Sequence, residues 1–188
     1  YADIVQSALR NVEETFASID ADRLQAAAEA IWNCRQVFVA GVGVNSANAR
    51  NFTYLASTGM SDFHTIPRPG STAVDDLAWA DHRDVLIAIT CKPYRTEIVA
   101  AVDLARQQGM TVVALSDSLA SPIVRVADHS FVLAADTPQF FPSSVSTLAL
   151  LETLLSFVIA VASDEIVDRV ERFHRRRHDL GLYVEDPE

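Results

Sequence analysis

The sequence predicts a three-layer α/β fold: a five-stranded parallel sheet in the order 2-1-3-4-5, with extra N- and C-terminal helices. Three observations predict it. Short apolar runs alternate with segments of helical periodicity through the middle of the chain. Those runs are apolar at consecutive positions, as expected of strands covered on both faces. The first and last parts of the chain keep helical spacing and carry no strand-like run. Among open sheets of this kind, 2-1-3-4-5 is a common doubly wound order.

The elements follow in sequence. Ile4, Val5, Ala8, Leu9, Val12, Phe16 and Ile19 recur at helical intervals, and Asp20 then precedes Ala21 to Ile31 as an N-cap. Residues 1–33 are therefore read as two leading helices. The α/β core, residues 34–134, begins with a strand at Val37 to Ala40, a helix from about Ser46 to Thr58 and a strand at Phe63 to Ile66. A looser stretch from Pro67 to Ala80 holds one short helix. It precedes a strand at Val85 to Ile89, a helix at Glu97 to Gln108 and a strand at Thr111 to Leu115. A short helix around Ser121 to Ala127 leads to a last strand, Ser130 to Leu133. Gly59 and Gly109 fall where two of these helices must stop, as suits a residue that tolerates positive φ. Residues 138–178 are read as C-terminal helices: Pro142 and Ser143 open an apolar helix through Ala162, and Asp164 starts another that reaches His178. The remainder, "GLYVEDPE", is read as a tail. No internal repeat or long linker divides the 188 residues, so one domain is expected.

Composition narrows the function. A net charge of −10 is unsuited to holding a phosphate backbone, because nucleic-acid affinity depends on Lys and Arg contacts. The one basic cluster, Arg172 to His178, ends an amphipathic segment, where cations favour the negative end of the helix dipole. Cys34 and Cys91 lie far apart without metal-ligand spacing, so neither a disulfide framework nor a metal site is read, and a cytoplasmic location is expected. The most apolar stretch, Val145 to Ala162, carries Glu152 in its middle and is read as a buried helix rather than a membrane span. The chain opens at Tyr1 rather than Met, from which a fragment or processed product is expected.

Two loops carry the candidate chemistry. After the first strand, Gly41-Val-Gly43-Val-Asn45-Ser46 runs straight into a helix, and glycines there let backbone N–H groups approach an anion. A dinucleotide fingerprint would place a third glycine at Ser46 and an acid after the second strand, and both are missing. A tight strand-to-helix turn without any ligand explains the same residues. After the third strand, Thr90-Cys-Lys-Pro-Tyr-Arg-Thr96 contains Lys92, the single lysine of the chain. In the order 2-1-3-4-5 the two loops flank the switch point where ligands bind. Thr90 and Thr96 offer hydroxyls, Lys92 an ammonium and Arg95 a forked guanidinium, which is what a phosphate requires. Solvation of a proline turn is the blander reading of the same two cations.

The element order, the GVG turn and the polar loop after the third strand resemble the sugar isomerase (SIS) domain. The "PY" of the second loop, "VVALSDSLASPIVRVADHSFVL" from Val112 and "SSVSTLALLETLLSFVIA" from Ser143 resemble the effector domain of RpiR/MurR-type bacterial transcriptional regulators. The resemblance covers nearly the whole chain and implies a flavodoxin-like core. It also implies a phosphorylated sugar or related small acid as ligand, a homodimer or tetramer, and DNA binding only through an N-terminal helix-turn-helix domain not present here. No cofactor, metal or membrane partner is implied. The resemblance places the phosphate on Gly43, Asn45, Ser46, Thr90, Lys92, Arg95 and Thr96. The family's loop has a glycine where Pro93 stands and hydroxyls where Lys92 and Arg95 stand, so this version relies more on charge.

A free-standing phosphosugar aldose–ketose isomerase is the alternative, and it would need a proton-transferring group such as Glu152 or His64. Glu152 reads equally as an acid paired across a dimer, and His64 and His129 as structural histidines. Cys91 beside Lys92 reads as a core residue ahead of a reactive thiolate. Lys92 as a Schiff-base nucleophile requires a desolvated pocket.

Overall fold

The computed structural model describes residues 1–162 and 165–184. Helices α1 (Ala2–Ala17) and α2 (Ala21–Asn33) precede strand β1 (Val37–Gly41), helix α3 (Asn45–Ala56) and strand β2 (Phe63–Ile66). The short α4 (Ala73–Asp76), β3 (Val85–Ile89), α5 (Thr96–Gln107), β4 (Thr111–Ser116) and β5 (His129–Val132) complete the core. Helices α6 (Val145–Val161) and α7 (Glu165–Asp179) follow. All four strand pairings are parallel and the sheet order is β2-β1-β3-β4-β5, as expected.

Pleating sorts the strand residues into two cores. Val37, Val39, Val85, Ile87 and Ile89 face the layer of α2, α3 and α6, with Phe52, Leu150 and Leu154 among its buried members. Phe38, Ala40, Leu86 and Ala88 face α4 and α5 through Leu77, Ile98 and Val102. Successive strand side chains point to opposite faces, so runs such as Val85 to Ile89 must be apolar throughout. Asp20 caps α2 as expected, its carboxylate accepting from the Asp22 N–H at 2.9 Å.

Several boundaries differ from the sequence reading, each for a local reason. His129 opens β5 instead of preceding it, because it pairs with Val113 of β4. α6 begins at Val145, two residues after Ser143. Only three residues near Ser121 to Ala127, Val124–Val126, form a helix, and it is a 3₁₀ turn. The expected start of α7 at Asp164 lies outside the described residues. The apolar residues of α1 are also placed differently from a core-facing stripe. Its fully buried residues are Asn11 and Thr15, while Ile4, Val5 and Leu9 are exposed. No single helix among the described residues is long and apolar enough to cross a membrane.

Candidate functional site

Strands β1 and β3 are adjacent, with Gly41 paired to Ile89, so the chain leaves both strands side by side. The turn after β1 is tight. A Cβ on Gly41 would stand 2.3 Å from the Asn45 carbonyl oxygen, and Gly43 adopts a φ of +61°. Both positions therefore demand glycine. α3 then starts at Asn45 with no side chain capping its first turn, and α5 likewise starts uncapped after Arg95. The Ser46, Ala47 and Ile98 N–H groups donate to backbone carbonyls just before them, and among the described residues the Asn45, Thr96 and Glu97 N–H groups are left for another partner.

The loop after β3 is held from below. Thr90 is buried, its Oγ1 accepts from the Arg95 N–H at 3.3 Å, and its carbonyl accepts from Ser116 Oγ at 2.6 Å. The Lys92 N–H donates to Asp117 Oδ2 at 3.3 Å. These bonds fix the backbone and leave the Lys92 and Arg95 side chains exposed.

A cavity of about 160 Å3 lies between the two loops. Gly43, Asn45, Thr90, Lys92 and Arg95 line it together. Its far wall is one that the sequence reading did not assign to the site: Pro142, Ser143, Ser144 and Thr147, at the start of α6. That helix start also lacks a side-chain cap. The wall is tied to α1. The Thr15 hydroxyl accepts from the Ala134 N–H at 2.9 Å, and Asn11 Nδ2 and Ser7 Oγ donate to the Asp136 carbonyl at 2.6 and 2.7 Å. The cluster of hydroxyls just after Pro142 was the available signal, but nothing local connects it to a loop almost fifty residues upstream.

The remaining candidates lie elsewhere. Ser46 turns towards a neighbouring cavity, where its Oγ accepts from Arg50 Nη2 at 3.2 Å. Thr96 is exposed on the first turn of α5 and does not line the central cavity. His64, a proton carrier in the isomerase alternative, does not line the central cavity. It pairs with Phe38, shares that residue's face of the sheet, and its ring lies 5.6 Å from the Phe38 ring. Glu152 is exposed on α6, more than a turn beyond Thr147. Among the described residues no carboxylate or imidazole lines the central cavity.

Cysteine and lysine chemistry is also disfavoured. Burial pushes the Cys91 thiol up to about 11, and the Asp117 carboxylate adds to the shift, so it does not lean towards thiolate. Burial, reinforced by Asp84, likewise pushes Cys34 up to about 11. Lys92 is exposed and lacks the desolvation that a Schiff-base lysine needs. Among the described residues no group of three or more His, Cys, Asp or Glu could hold a metal ion. The basic cluster of α7 behaves as a helix-end surface: Arg177 Nη1 donates to Tyr54 Oη at 2.9 Å and the guanidinium covers the Phe173 ring.

What the cavity offers is two cations, several hydroxyls and three helix N-termini, the chemistry of a small hydroxylated anion. Comparison with known proteins agrees with the fold and the family. The SIS domain model matches residues 30–157. The HTH-type transcriptional regulator RpiR of Escherichia coli is 23% identical over 161 residues, covering 82% of this chain and 52% of that protein. An uncharacterised HTH-type transcriptional regulator of Clostridium perfringens is 23% identical over 176 residues, covering 88% of this chain and 61% of that protein. The chain thus spans roughly half to three-fifths of the length of these relatives. Among solved structures, the sugar isomerase domain of the RpiR transcription factor from Sphaerobacter thermophilus superposes with a TM-score of 0.85 at 25% identity, covering 93% of this chain and 97% of that one. The Vibrio vulnificus NanR protein complexed with ManNAc-6P shares the fold, with a TM-score of 0.83 at 20% identity over 96% of this chain and 69% of that one. The matched span takes in both loops, all five strands and most of α6, and on that ground the chain belongs to the SIS domain family.

Proposed function

We propose that this chain is the phosphosugar-sensing effector domain of an RpiR-type transcriptional regulator. A phosphorylated sugar binds between the loops after β1 and β3, and DNA is contacted only through a helix-turn-helix domain elsewhere in the full protein. The observation that carries the reading is the lining of the 160 Å3 cavity: Lys92, Arg95 and uncapped helix starts for an anion, with no carboxylate or imidazole among the described residues to move a proton between carbons. A sensor requires only different affinities for its ligand in two arrangements, not bond chemistry. The regulators similar in sequence and the ManNAc-6P bound by the V. vulnificus neighbour support this class. In this reading Gly43, Asn45, Thr90, Lys92 and Arg95 hold the phosphate, aided by Ser143 and Ser144. Ser46 and Thr96 act from the rim.

The protein is cytoplasmic and at least a homodimer in this reading. Exposed Ile4, Val5 and Leu9 on α1 and Val145 and Ile159 on α6 are the apolar faces a second copy would cover. The function is tested by adding a panel of aldose and ketose phosphates to the protein and following phosphorus NMR. One shifted or broadened resonance without new product is expected. Appearance of the partner isomer at catalytic protein levels would make the chain an isomerase instead.

A further inference from the structure

A second cavity, of about 400 Å3, lies on the other side of the Gly41 to Gly43 turn, at the C-terminal ends of β1 and β2. Its polar lining is Ser46, Arg50, Thr65 and Arg68. The two cavities share Val42 and Gly43. No atom lies within 4 Å of where a Gly43 Cβ would stand, so no side chain covers the turn at that shared point.

Lys92 and Arg95 in one lobe and Arg50 and Arg68 in the other are four of the chain's 15 lysines and arginines, gathered at the C-terminal end of the sheet in a protein of net charge −10. Arg68 is oriented by Asp76, which takes its Nε at 2.8 Å and its backbone N–H at 2.7 Å. Burial works against charge on Asp76, yet these bonds and one from Ser71 hold its carboxyl below the usual range, so the anchor stays ionised. Both Nη nitrogens of Arg68 are left without a hydrogen bond among the described residues. Arg50 is steered differently: Nε donates to the Ser46 carbonyl and Nη2 to the Ser46 Oγ, each at 3.2 Å. No carboxylate pairs with it among the described residues. A phosphate held by Lys92 and Arg95 leaves this second pair of guanidiniums unused.

We propose that the ligand carries a second anionic group, a carboxylate or a second phosphate, which Arg50 and Arg68 bind in the 400 Å3 lobe with the Ser46 and Thr65 hydroxyls. The inference rests on the phosphosugar reading above and narrows it to phosphorylated sugar acids or sugar bisphosphates. Forked guanidiniums suit both groups, because each presents two coplanar or near-coplanar acceptor oxygens.

Calorimetric titration with matched sets tests it: aldose phosphates, the corresponding aldonate phosphates and the corresponding bisphosphates, four to six carbons long. In at least one set a doubly anionic ligand is expected to bind about tenfold tighter or more than its aldose phosphate, the scale of one charge-assisted bidentate contact. Its identity separates carboxylate from phosphate. Arg50→Gln, on which no carboxylate depends, should shrink that gap while leaving aldose phosphate affinity within about twofold. Arg68→Lys, which keeps a charge beside Asp76, should shrink it too. Equal affinity within every set, or a gap untouched by both variants, overturns the second subsite alone and leaves the phosphosugar reading standing. If no phosphorylated ligand binds, or if binding survives Lys92→Glu undiminished, the phosphosugar reading fails and this inference with it.

Discussion

The carbonyl oxygen of Asn45 lies 2.3 Å from the position a Cβ on Gly41 would take. The close approach lets α3 start within four residues of the end of β1, which brings Asn45 into the cavity lining. Gly41→Ala must therefore push the first turn of α3 away, and a loss of about 1–3 kcal/mol in chemical denaturation is expected, as for overpacked sites. Gly43→Ala meets no atom and strains only a φ of +61°, so a smaller loss, about 1 kcal/mol, is expected. Equal losses at the two positions would show that backbone conformation, not contact, governs the turn.

Lys92→Glu should weaken phosphosugar binding by about 100-fold or more, since it removes a charge-assisted hydrogen bond of ~1.5–3 kcal/mol and adds repulsion. Lys92 is exposed, so the thermal midpoint should hardly move. Undiminished affinity by calorimetry would displace the phosphate from this loop.

Asp84 provides a control at the opposite edge of the sheet. Its side chain is fully buried and accepts from Arg35 Nε at 2.9 Å and from the Asp81 N–H at 2.9 Å. Asp84→Asn should lower stability by about 2 kcal/mol, the cost of leaving buried partners poorly matched, with ligand affinity unchanged. A large change in affinity instead would mean the two edges of the sheet are coupled.

Stability should also fall with mild acid at His129. Burial lowers its pKa below the ordinary 6.5, Arg23 lowers it further, and Asp128 only partly opposes them. The folded state thus binds this proton less readily than the unfolded chain, and stability is lost as pH falls below 6.5 through the folded value. Comparing thermal midpoints from about pH 7.5 to about pH 5.5, His129→Gln should show a shallower decline than the parent protein. Identical slopes would assign the acid sensitivity to other groups.

The sequence by itself determined the elements, their order, the parallel sheet, the glycine turn after β1 and the cationic loop after β3. These depend on periodicity and turn chemistry, which act over a few residues and so can be read locally. Only the tertiary structure decided which side chains meet. A helix rotates about 100° per residue, so Asn45 lines one cavity and Ser46 the next. Pleating put His64 on the Phe38 face. Packing of α6 across α2 and α3 brought Ser143, Ser144 and Thr147 to two loops far upstream in the sequence, completing a wall no local pattern encodes.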